Sequence, residues 1–211
     1  MCNLYDIGPA RHARRHDWER AIVEAVERLE KPKFGLRRTD PGIILRHHDG
    51  TPLVEMRRWG LHRLYSPVIN NARSDKLDGP WAGLWREKKR CLIPLSTWYE
   101  WSGGKGAKQT FAFSSPEPDA WLWAAGLWED GESGPAYSMI TRDASPDLAF
   151  VHDRMPALIE PADFESYLFE EDPRNLLNSP VAEITPLRCL NPLHHPARHT
   201  GPEPMDLLPG F

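Results

Sequence analysis

A cysteine lies directly behind the initiator methionine of this 211-residue chain. Removal of Met1 would leave Cys2 with a thiol and an α-amine on adjacent carbons. The reference pKa of an α-amine is about 7.7 to 8.0 and that of a thiol about 8.5, so both have a reactive fraction near neutrality. Attack of the amine on an aldehyde gives a Schiff base. The neighbouring sulfur then closes onto the same carbon as a thiazolidine, which is more durable than an imine. Position alone does not separate this reading from an unconstrained residue 2.

Three further segments set polar residues among strand-like or aromatic neighbours, where a buried polar group needs a partner or a purpose. In Trp98-Tyr99-Glu100-Trp101 an apolar setting would raise the Glu100 carboxyl pKa and suit it to proton transfer. In His152-Asp153-Arg154-Met155-Pro156 the imidazole of His152 donates or accepts a proton near pH 7. In Asn71-Ala72-Arg73, Asn71 offers both a donor and an acceptor that could hold the α-amine of Cys2. Arg73, two residues on in an extended segment, points to the same side with a planar fork for phosphate. An ordinary strand Glu, a structural His and a turn Asn are the bland readings of these residue types.

The elements that must position these groups read as short strands and few helices, since 21 Pro and 15 Gly interrupt the chain too often for long helices. Asp17 is placed to cap a helix from Trp18 to Leu29, with Ala21, Ile22, Ala25, Val26 and Leu29 on the face that packs on a sheet. Ile43-Ile44-Leu45 and Leu53-Val54-Glu55-Met56 flank His48-Asp49-Gly50, the pattern of a hairpin with an Asp-Gly turn. Strands are predicted at Arg90 to Pro94, Gln109 to Phe113, Ala120 to Trp128 and Ala136 to Thr141. A second helix is predicted over Pro161 to Glu170, burying Phe164, Tyr167 and Leu168. The fold class expected is α+β, one domain over residues 1–211 with a mostly antiparallel, barrel-like sheet and an irregular tail from 190 to 211.

The net charge of −4 is unevenly spread. Residues 1 to 108 hold 21 Lys and Arg against 13 Asp and Glu, and the remainder hold 5 against 17. Such asymmetry is a hint of a polyanion-binding face. Three cysteines at irregular spacing argue against a disulfide framework and for a reducing compartment, so the cytoplasm is expected. No apolar run reaches the roughly 18 residues of a membrane span, and the polar, basic start has no apolar signal core. His47-His48, and Cys189 with His194, His195 and His199, match no zinc spacing, so neither a metal nor another cofactor is expected. There is no phosphate-binding loop, dinucleotide glycine motif or Gly-x-Ser-x-Gly elbow.

With Met1-Cys2 at the start and Arg58-Trp59-Gly60-Leu61 between, the three segments resemble the SOS response-associated peptidase family, whose members process abasic sites in DNA. The resemblance runs from Cys2 to about Leu158. It implies a covalent link between Cys2 and the aldehyde of an abasic site, with Asn71, Glu100 and His152 assisting. It also implies phosphate contacts from Arg73 and Arg154 and apolar wedge residues at Trp59 and Pro41, with Arg58 beside them on the DNA. The implied partner is single-stranded DNA carrying an abasic site, near a junction with duplex, bound by a monomer that also releases its own first residue. Family members commonly continue as Cys-Gly-Arg, whereas Asn3 and Leu4 follow Cys2 here. An N-terminal-nucleophile amidohydrolase or peptidase, and a non-catalytic DNA-binding module, are the alternatives left open.

Overall fold

The computed structural model describes residues 2–8, 17–28, 34–104, 106–117, 120–180, 184–194, 199–202 and 204, with backbone alone at 17–19. In chain order the elements are β1 (Leu4–Asp6), α1 (Asp17–Arg28), β2 (Leu36–Arg37), β3 (Pro41–His48), β4 (Thr51–Trp59), β5 (Leu61–Arg63), β6 (Ser66–Ile69) and β7 (Asn71–Arg73). They continue as α2 (Ala82–Arg86), β8 (Arg90–Leu95), β9 (Thr97–Ser102), β10 (Gln109–Ser114), β11 (Leu122–Gly131), β12 (Gly134–Asp143), β13 (Arg154–Pro156), α3 (Phe164–Phe169) and β14 (Leu187–Cys189).

Two sheets carry the molecule. One runs β14-β10-β9-β1-β2, all antiparallel. The other runs β11-β8-β3-β4-β12-β13 and closes on itself through a β11–β12 pairing, giving a ring with β13 and β7 attached to β12. This is the expected α+β, mostly antiparallel architecture. Two pairings, β4 with β12 and β7 with β12, are parallel. Residue alternation cannot foretell these, because it reports which face a side chain takes and not the direction of the neighbour.

Local chemistry explains most elements. Asp49 and Gly50 both hold positive φ, 48° and 82°, and His48 pairs with Thr51, the two-residue turn that the Asp-Gly pair favours. All six residues of β8 are buried, as expected of a strand covered on both sides. Its Arg90 guanidinium bonds the carbonyls of Leu168 and Glu170, satisfying the end of α3, and lies over the Trp85 ring. On α3, Phe164, Tyr167 and Leu168 are the buried side, as their spacing predicts.

The helix face differs slightly from expectation. In α1, which packs on β3 and β4, Ile22 and Val26 are buried and Val23 and Ala25 half-buried, while Ala21 is exposed. Leu29 lies outside the described residues. The hairpin β5–β6 and strand β14 were not expected. Each is three or four residues long, too short for alternation to stand out.

Candidate active site

Two sets of strand pairings bring the chemistry-bearing residues together. Tyr5 of β1 pairs antiparallel with Trp98 of β9, so Asn3 and Cys2, just ahead of β1, are carried toward the part of β9 that holds Glu100 and Trp101. On β12, Thr141 pairs with Arg73 of β7 and with Pro156 of β13, so the Asn71 strand and the His152 loop share one support. Gly42 permits this packing, because a Cβ there would fall on the hydroxyls of Tyr5 and Tyr137, which hydrogen-bond each other beneath β1.

Cys2 is fully buried, and its Sγ lies 3.6 Å from the carbonyl of Leu4. Two amides hold its own carbonyl: Asn71 Nδ2 donates at 2.7 Å and Asn70 Nδ2 at 3.1 Å. Asn70 Nδ2 also reaches Asn3 Oδ1 at 3.1 Å. The Asn70 carbonyl in turn accepts the Met139 N–H at 3.0 Å and the Trp59 indole N–H at 2.9 Å, which fixes the segment that reaches Cys2. Asn71 therefore holds the Cys2 backbone through its amide nitrogen. Its Oδ1 is buried and has no partner among the described residues, leaving one strong acceptor in the site. Asn70 was missed in the sequence, where the Asn-Asn doublet ahead of Ala72 was the available signal.

Glu100 is 3% exposed, and burial pushes its carboxyl up to about 7. The same burial, together with the negative charge of Glu100, drives the Cys2 thiol far above the usual thiol range. The thiol is therefore neutral, and the Glu100 carboxylate can take its proton only as the sulfur bonds to an electrophilic carbon. His152 is half-buried, and burial lowers its pKa. Its Nδ1 lies 2.9 Å from the Arg154 N–H and 2.8 Å from Asp153 Oδ1. One ring nitrogen cannot accept and donate at once. A neutral ring accepts from Arg154 and a protonated ring donates to Asp153, so both protonation states have a partner.

Not every sequence-predicted site residue reaches this centre. Trp59 is fully buried, edge-on to Tyr5 at 4.8 Å and bonded to Asn70, so the expectation of a base-stacking wedge gives way to a core residue that supports the Asn70 strand. Arg154 is likewise 5% exposed, with its guanidinium on Asp143 and the Thr141 carbonyl. It ties β13 to β12 and is not an exposed phosphate ligand. Arg73 is exposed and forms a fork with Asp75 at 2.9 and 3.0 Å. Pro41 is exposed and pairs with Arg58, which is half-buried and donates to the Gly60 carbonyl at 2.8 Å.

A groove of about 850 Å³ opens beside Asn3, lined by Arg37, Arg38, Trp101 and Lys108 with Asn191 and His194 of the C-terminal segment. Trp101 and Glu100 are consecutive in β9, so they take opposite faces of the strand. Among the described residues, no three His, Cys, Asp or Glu side chains gather as a metal site. Cys2, Cys91 and Cys189 are buried free thiols.

Residues 1–189 match the family model described as SOS response associated peptidase. The chain belongs to that family. It is 29% identical over 144 residues to the abasic site processing protein YMR114C of Saccharomyces cerevisiae, covering 62% of this chain and 38% of that one. It is 30% identical over 116 residues to the abasic site processing protein HMCES of Gallus gallus, covering 43% of this chain and 34% of that one. The chain thus spans little more than a third of the length of these relatives. The fold resembles a crystal structure of a protein from Bacteroides thetaiotaomicron, with a TM-score of 0.70 at 18% identity, over 92% of this chain and 94% of that one. A phage-related protein from Bordetella bronchiseptica gives a TM-score of 0.66 at 20% identity, over 89% and 93%.

Proposed function

We propose that this member of the SOS response associated peptidase family processes abasic sites, as its relatives are named for doing, and that it does so by capturing the site in single-stranded DNA as a thiazolidine on Cys2 after loss of Met1. The observation that carries this reading is the convergence on Cys2: two asparagine amides on its carbonyl, and Glu100, titrating near 7, acting on its thiol.

The residues divide the work as follows. His152, whose neutral form burial favours, takes the proton of the C1 hydroxyl of the closed abasic sugar and returns it to the ring oxygen as the bond from C1 to the ring oxygen breaks, which releases the aldehyde and leaves the imidazole neutral. The α-amine of Cys2 adds to the aldehyde carbon, with Asn71 Oδ1 as acceptor for an amine N–H. Protonated Glu100 gives its proton to the departing hydroxyl, which leaves as water and produces the iminium. Sγ then bonds to the same carbon as its proton passes to Glu100 carboxylate, and the iminium electron pair returns to nitrogen. The balance is one aldehyde and one aminothiol converted to one thiazolidine and one water, with Glu100 restored to its protonated form. Release of Met1 by the chain itself is part of the same reading, as are cytoplasmic location and action as a monomer.

The test is a denaturing gel of Met1-processed protein incubated with abasic single-stranded DNA. A retarded covalent band is expected, lost in Cys2→Ala and lost when Met1 removal is blocked. A band that persists in Cys2→Ala would overturn the assignment of the nucleophile, and no band at all would overturn the reaction.

A further inference from the structure

The face of the first sheet that carries Glu100 continues outward in a row that the chemistry above does not use. Glu100 of β9 pairs with Phe111 of β10, and Phe111 pairs with Arg188 of β14. Directly opposed residues in antiparallel strands share a face, at a strand spacing of about 4.8 Å, so Arg188 stands roughly 10 Å from Glu100 along this row. Arg188 is exposed and has no ion-pair partner among the described residues. Phe111 is half-buried, and Phe150 stands edge-on to it with ring centroids 5.8 Å apart.

Phe150 is 61% exposed although it lies in a well-anchored turn. Leu148 and Val151 on either side are buried, the Leu148 and Ala149 N–H groups both reach the Ser145 carbonyl, and Ser102 Oγ donates to the Phe150 carbonyl at 3.2 Å. The turn therefore holds a large aromatic ring in solvent, two residues from His152. Core packing does not require this ring, and its position suits the π-face of a nucleobase.

We propose that Phe150, Phe111 and Arg188 form the subsite for the nucleotide next to the reacting one, with the base stacked on the Phe150–Phe111 pair and its phosphate held by Arg188. The occupant is a nucleobase and not another apolar protein surface, because the aromatic pair lies between a carboxylate of the reacting centre and an exposed guanidinium that has no acidic partner among the described residues. The assignment rests on the reading of Cys2 as an abasic-site nucleophile.

Non-covalent binding to a labelled single-stranded oligonucleotide separates the two claims. It is followed by fluorescence anisotropy in a Cys2→Ala background, so that no bond need form. One oligonucleotide carries bases on both sides of an abasic analogue, and a second has base-less spacers there. The parent is expected to bind the first about fivefold or more tightly, the scale of one base–aromatic stack. Phe150→Ala should lose that difference and Phe150→Trp keep it. Arg188→Gln should make the slope of log K against log salt shallower by about 0.7, one phosphate contact on a single strand. Full discrimination by Phe150→Ala, or an unchanged salt slope in Arg188→Gln, overturns the subsite. Absence of a covalent band in the wild-type protein, with discrimination intact, overturns the Cys2 reading and leaves the subsite standing.

Discussion

At the scale of single residues, the account turns on Glu100. Its carboxyl is raised from 4.5 to about 7 by burial, so the folded state favours the neutral form. The stability this confers is fully present below about pH 4.5 and is lost as pH rises through 7, a change of about 3 kcal/mol. Thermal denaturation of Glu100→Gln should lack this loss, so the variant gains on wild type between pH 5 and pH 8; a parallel pH dependence would contradict the burial argument. The same substitution removes the proton relay and should slow thiazolidine closure by about 10² to 10⁴, measured as single-turnover adduct formation. Glu100 was legible from the aromatic residues on either side of it and Cys2 from its place behind Met1, while Asn71 and His152 were singled out by resemblance to family motifs. Asn70 was not, because asparagine beside asparagine reads equally as a turn.

At the scale of elements, the site depends on β7 and the strands that fix it. Trp59 reaches from β4 to the Asn70 carbonyl, so Trp59→Ala should leave a cavity costing about 3 to 5 kcal/mol. In a chain of this size, that lowers the melting temperature on the order of 10 °C, read by circular dichroism. A variant that kept its melting temperature and lost only DNA binding would restore the wedge reading of Trp59. The β3–β4 hairpin, β8, β10, α1 and α3 were legible from alternation, the Asp-Gly turn and helical spacing. The parallel docking of β7 on β12 was not, since three residues carry too little pattern and the pairing joins Asn71 to Met139 across the chain. The same limit hid the place of Trp59 and Arg154: family resemblance marked them as DNA contacts, and only their burial shows that they serve the scaffold.

At the scale of the whole molecule, the basic first half and acidic second half meet around one sheet. Cys2, Glu100 and Arg73 come from the first 108 residues, while His152 and Arg188 come from the second. The charge asymmetry hinted at a polyanion partner without locating a path for it, and the path proposed above depends on how β9, β10 and β14 align. Binding to single-stranded DNA should weaken steeply with salt and vary little with base sequence, as backbone contacts dictate. A salt-independent affinity in equilibrium titrations would argue against DNA as the partner. The central claim is the covalent bond itself, and intact-mass measurement of Met1-processed protein after incubation with abasic single-stranded DNA tests it most directly. The account predicts an adduct equal to protein plus DNA less one water, formed without reductant, stable to heat and absent in Cys2→Ala. An adduct seen only after borohydride trapping, or one that maps to a residue other than Cys2, would contradict it.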